Sequence, residues 1–123
     1  MSGQKGFTLI EIMIAIFLLA VALLGLAAVT TSVIKGNSFS QTLTTATTLA
    51  KDKMEDLKGM SFNALPTGTL TDYATADGTL QTSATGSYYT RSWNAPGTDT
   101  KTITVTVTWS FNRTVQLQTI RAK

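Results

Sequence analysis

The chain has 123 residues, enough for one small domain beside an apolar segment of about thirty residues. Its formal net charge of +3 comes from ten scattered basic and seven acidic residues, too little to form the electrostatic footprint of a nucleic-acid binder. With no histidine and no cysteine it lacks the commonest metal ligands and general bases and has no disulfide, so stability must come from packing, strand pairing or neighbouring subunits.

The first landmark is Lys5-Gly6-Phe7-Thr8-Leu9-Ile10-Glu11, followed by Ile12 to Val29 without a charge or a strongly polar group. At about 1.5 Å per helical residue that run covers about 27 Å, close to the roughly 30 Å hydrocarbon core of a bilayer. Glu11 stands at its leading edge. A carboxylate carried to the bilayer centre costs roughly 2.5–3.5 kcal/mol, so a compensating partner is expected. A secretory signal would place a shorter, acid-free apolar core here and lead into a loop. Lys5 and Lys35 flank the run almost symmetrically and orient it only weakly. Ala15, Ala20, Ala22, Gly25, Ala27 and Ala28 leave room for close helix–helix approach.

Gly6-Phe7-Thr8-Leu9-Ile10-Glu11 after a short basic leader resembles the start of type IV pilins and type II secretion pseudopilins. The resemblance implies prepilin peptidase cleavage between Gly6 and Phe7, methylation of the new Phe7 amine, and an assembly role for Glu11 opposite the terminal amine of a neighbouring subunit. It implies a single-pass inner-membrane precursor with a cytoplasmic N-terminus, later part of an extracellular pilus or a periplasmic pseudopilus. The expected partners are the peptidase, other pilin or pseudopilin subunits and the membrane, with no nucleic acid. The absence of cysteine departs from the disulfide-closed loop of many pilins, and the absence of proline before Pro66 departs from their usual helix.

Beyond the apolar run, Phe39, Leu43, Ala46, Ala50, Met54 and Leu57 recur at helical spacing, which predicts an amphipathic continuation to about Lys58 with Gly59 at its end. Thr44, Thr45, Lys51, Asp52 and Glu55 occupy the other face, where Lys51–Glu55 and Glu55–Lys58 have ion-pair spacing. Gly25 and Gly36-Asn37-Ser38 are the expected weak points, where the helix would bend or open.

Ser61 to Gly86 reads as connecting loop with one short strand, and Asp77-Gly78 as a turn. Tyr88 to Trp93 is a short aromatic strand. Ile103, Val105, Val107, Trp109 and Phe111 then alternate with Thr102, Thr104, Thr106, Thr108 and Ser110, a half-buried strand. A turn at Asn112-Arg113 and a last strand from Thr114 to Arg121 follow, with Val115, Leu117 and Ile120 as core candidates. The predicted fold is therefore α+β: a long N-terminal helix packed on an antiparallel meander of three or four strands. Its divisions are a leader over 1–6, an apolar assembly helix over 7–34, an amphipathic helix over 35–58 and a β-rich head over 59–123.

No catalytic constellation is present, no cofactor is implied, and the reading is not that of an enzyme. Asp72 and Asp77 with nearby carbonyls are the only calcium candidates, and the usual structural role of turn carboxylates competes with that reading. Asn112-Arg113-Thr114 matches a glycosylation sequon inside the expected turn. Trp93, Trp109, Tyr88 and Tyr89 read first as core of a small head rather than as a stacking platform.

Val21-Ala22-Leu23-Leu24-Gly25-Leu26-Ala27-Ala28 and the Val105-to-Trp109 strand are similar to minor pilins of the type IV pilus modification (PilV) group. The expected function is that of a minor pilin contributing to fibre initiation, tip or adhesion properties. The alternatives are a type II secretion minor pseudopilin, a major pilin, a DNA-uptake pseudopilin, or a plain single-pass anchored binding module.

Overall fold

A computed structural model of the protein describes Gly3 and residues 5–123. Of the leader expected over 1–6, residues 1, 2 and 4 lie outside the described residues. By its contacts the chain divides into two units, 1–39 and 40–123.

Helix α1 runs from Leu9 to Gly59 without interruption, so neither Gly25 nor Gly36-Asn37-Ser38 opens it. The hydroxyls that would compete with a helix are turned back into it. Thr30 donates to the Leu26 carbonyl at 2.9 Å, Thr31 to Ala27 at 3.0 Å and Ser32 to Ala28 at 3.1 Å. Thr44, Thr45, Thr47 and Thr48 repeat the pattern in the second unit. A hydroxyl bonded to the carbonyl four residues earlier needs no other partner, and in the apolar part it needs no water.

In the second unit the helix buries Ala46, Leu49, Ala50, Met54 and Leu57. The expected stripe is corrected at its start. Phe39 and Leu43 are exposed, and Leu49, absent from the predicted stripe, is buried. Burial on this helix is set by where the sheet lies, and its buried positions begin at Ala46. The two fully buried alanines, Ala46 and Ala50, leave room for the large side chains opposite: Tyr89, Ile103, Val105, Val107 and Trp109.

The sheet has five strands rather than three or four: β1 (Leu70–Ala74), β2 (Leu80–Gln81), β3 (Tyr89–Asn94), β4 (Thr100–Trp109) and β5 (Arg113–Ala122). All neighbours are antiparallel, in the order β2-β1-β3-β4-β5. This is not a simple meander, because β1 lies between β2 and β3. The segment expected to be connecting loop with one short strand therefore supplies two. Their turn is the expected one at Asp77-Gly78: the Thr75 N–H donates to the Thr79 carbonyl at 3.0 Å, and Asp77 accepts from the Thr75 and Thr79 hydroxyls. Those bonds, Thr75's first, hold the exposed Asp77 carboxyl below its ordinary value.

Strands β4 and β5 pair over ten residues, from Thr100↔Ala122 to Trp109↔Arg113. The hairpin turn is shifted from Asn112-Arg113 to Phe111-Asn112, with φ of 58° and 59°, the backbone of a type I′ turn. Phe111, expected to be core, leaves the strand there and is 95 % exposed. Ile120, the other overturned core candidate, is 71 % exposed because strict alternation puts it on the face opposite Val115 and Leu117. Before β4, a side chain on Gly97 would collide with the Thr100 carbonyl, and its φ of +129° favours glycine as well.

Three basic side chains tie the helix and its exit loop to the sheet. Buried Arg91 forks onto Asp72, Nε to Oδ1 at 2.8 Å and Nη2 to Oδ2 at 2.5 Å, and its Nη1 reaches the Leu49 carbonyl of α1 at 3.1 Å. Lys101, 6 % exposed, donates through Nζ to the Phe62 and Leu65 carbonyls, both at 3.0 Å. Arg121 donates to the Lys58 carbonyl at 3.0 Å and to that of Met60, serving the open C-terminal end of the helix. Among the described residues no ion pair joins Lys51, Glu55 and Lys58.

Candidate functional site at the helix start

The backbone is non-helical from Lys5 to Thr8, and α1 starts at Leu9. Its start is built by a reciprocal cap. The Thr8 N–H donates to Glu11 Oε2 at 2.9 Å, the Thr8 hydroxyl donates to the same oxygen at 3.1 Å, and the Glu11 N–H donates to Thr8 Oγ1 at 3.3 Å. The Ile12 N–H donates to the Thr8 carbonyl at 3.2 Å, which makes Thr8 the N-cap and Glu11 the third residue of the helix. Thr-x-x-Glu before an apolar run is the sequence signature of this box, so Thr8 was readable as Glu11's partner. In this chain the acid expected to need a partner finds its first one three residues away.

Gly6 and Phe7 lie just before the cap. A Cβ built on Gly6 meets nothing within 4 Å, so the fold itself does not demand glycine there. Any requirement for a small residue at that position comes from outside the chain. Phe7 is 83 % exposed, and the Gly6–Phe7 peptide bond is in accessible, irregular backbone. Past the cap, α1 is long and apolar enough to cross a membrane, and its most apolar window is wholly uncovered. Leu9, Ile10, Ile16, Phe17, Leu24 and Leu26 are among its exposed apolar side chains. An apolar surface of this kind must be covered by lipid or by other apolar chains.

Residues 1–27 match the family model described as the prokaryotic N-terminal methylation motif. The motif is that of a type IV pilin-like precursor. It takes in Gly6, Phe7, Thr8 and Glu11 together with the first part of the apolar helix, and it does not reach the sheet. No curated protein and no solved structure matches the chain. The motif and the uncovered helix together fit membrane anchoring before assembly.

The other candidates separate in space by role. Asp72 is occupied by Arg91 and Asp77 by its own turn, and among the described residues no group of three or more acidic, histidine or cysteine side chains could hold a metal ion. Tyr89 and Trp109 are core, and Trp93 packs against it with Lys53 Nζ 4.0 Å from its ring centre. Asn112 is in the hairpin turn. The partners of Arg91 and Lys101 were not readable from the sequence: alternation places Lys101 on the face of Ile103 and Val105, but nothing local says which carbonyls or carboxylate will lie opposite.

Proposed function

We propose that this chain is a minor pilin-like subunit, made as a membrane precursor, cut between Gly6 and Phe7 by a prepilin peptidase, methylated on Phe7 and assembled through its N-terminal helix. The observation that carries the reading is the conjunction at the helix start: an accessible Gly6–Phe7 bond, a cap that begins the helix two residues later, and an uncovered apolar helix beyond, all within the methylation motif. The precursor's N-terminus is cytoplasmic. Cleavage turns the Phe7 amide nitrogen into an amine next to the Thr8 N–H that already faces the Glu11 carboxylate.

Assembly brings subunits together in a low-dielectric environment where that amine and that acid are each costly alone. Glu11 pairs there with the Phe7 amine of a neighbouring subunit and sets the axial register. Intact-mass analysis of protein from its native host should show loss of residues 1–6 and one methyl group on Phe7. A chain starting at Ser2 or near Val29 would overturn the processing step. Glu11→Ala should insert and be cleaved, yet be missing from sheared fibres. Recovery of Glu11→Ala in fibres at wild-type stoichiometry would remove Glu11 from the assembly mechanism.

A further inference from the structure

The two faces of the sheet have opposite chemistry to what an amphipathic sheet ordinarily shows. Every charged strand residue, Asp72, Arg91, Lys101, Arg113 and Arg121, shares the strand parity of the core residues Val105 and Val107. The outer face has sixteen positions over the five strands, and none is charged. Fourteen are hydroxyl or amide residues, and the other two are Ile120 and Ala122 near the chain end. An ordinary protein surface, about 25–35% charged, would place about four or five charges among them.

The polar groups form rows. The register aligns Thr90, Thr108 and Thr114 in one row, Ser92, Thr106 and Gln116 in the next, and Asn94, Thr104 and Gln118 in a third. Rows repeat about 6.8 Å apart along the strands, and columns about 4.8 Å apart across them. The Gln116 and Gln118 amides donate to the Thr106 hydroxyl at 3.3 Å and the Thr104 hydroxyl at 3.4 Å, and each amide also carries an oxygen able to accept. A depression of 190 Å³ lies here, lined by Thr69, Ser92, Asn94, Thr104, Thr106 and Gln116 together with Trp93 of the core parity.

We propose that the outer sheet face binds a neutral polysaccharide, with one sugar unit in the depression and its neighbours along the threonine rows. The ligand must itself be uncharged, since no side chain here answers a charge, and must offer hydroxyl donors and acceptors at a regular repeat. A nucleic acid would need basic side chains that the face lacks. A protein partner would need a cluster of the aromatic, methionine or arginine anchors that dominate protein interfaces, and of these there are only Tyr73 on β1 and the part of Trp93 that lines the depression, an aromatic surface that a sugar ring can also use. Each hydroxyl contact is weak, and affinity builds with the number of heads displayed together. The inference is independent of how the chain is processed.

The test is cosedimentation of the purified full chain, in detergent micelles, with cellulose, chitin and insoluble starch, at low and at 1 M salt, beside dextran sulfate beads. Binding to at least one neutral polysaccharide, unchanged by salt, is expected. Gln116→Lys, at an exposed position, and Thr106→Lys should each weaken it at least tenfold, whereas Thr98→Lys in the loop before β4 should bind as wild type. Thermal midpoints followed by Trp93 and Trp109 fluorescence separate lost binding from lost folding. Retention on none of the three polysaccharides overturns the proposal, as does retention that collapses with salt or survives Gln116→Lys. A concentration-dependent dimer abolished by the same variants, without polysaccharide binding, would make the face a contact between copies and overturn it too.

Discussion

Removing Asp72 should damage the head more than removing Arg91, although the two form one ion pair. Arg91 is 2 % exposed, and its guanidinium spends two donors on Asp72 and one on the Leu49 carbonyl. The Asp72 side chain is 22 % exposed. In Asp72→Ala a buried cation keeps only a carbonyl and the Trp93 ring, 5.8 Å away, as partners. Breaking a buried pair in this way costs about 3–5 kcal/mol. In Arg91→Met the stranded carboxylate can still be reached by water, so the loss should fall below that range. Arg91→Met/Asp72→Leu should recover most of it, because two apolar groups of similar volume leave nothing unpaired. At roughly 4–8 °C per kcal/mol for a domain of this size, Asp72→Ala should lower the midpoint of the full chain in micelles by at least about 12 °C. Near-ultraviolet circular dichroism of the head aromatics reads this out. A midpoint for Asp72→Ala within about 4 °C of wild type, or lower stability of Arg91→Met than of Asp72→Ala, would refute the reasoning.

Leu57→Ala, at a position with no exposure, should cost about 2–5 kcal/mol and be seen in the same melt; an unchanged midpoint would mean the helix does not pack on the sheet through this face. Lys101→Met should fill the same space but strand the Phe62 and Leu65 carbonyls, with an expected loss of about 1–3 kcal/mol and faster amide exchange between residues 61 and 66. Phe111→Asn should raise stability by about 1 kcal/mol, since a left-handed backbone penalises phenylalanine and the exposed ring gives up no packing. A drop in the midpoint of Phe111→Asn would show that the ring holds a contact on the head.

The helix and the two long strands were legible in the sequence because their signals are local. An apolar run of membrane length and strict alternation over Thr102 to Trp109 each constrain the backbone within a few residues, whatever lies far away. The exact buried set was not legible. Periodicity names a helix face, but whether that face is covered at Leu43 or only from Ala46 depends on the extent of a sheet formed sixty residues later. That Ser61 to Gly86 holds two strands, β1 and β2, where one short strand was expected has a related reason. They are short, threonine-rich and poorly apolar, and what makes β1 a strand is pairing with β3 across the Asp72↔Arg91 register.

The sequence by itself thus determined the α+β class and the motif at Gly6 to Glu11 with the apolar run behind it, all consequences of residues close together in the chain. Only the tertiary structure decided which partners the buried charges would find and how far the neutral face, already visible in the alternation of Thr102 to Thr108, would extend across the sheet. The rule that charge faces water is reversed here, because Arg91 and Lys101 find carbonyls and a carboxylate beneath the sheet while the threonines, neutral and β-branched, are left outside. That arrangement rests on partners brought together from forty residues apart, and no local pattern encodes it.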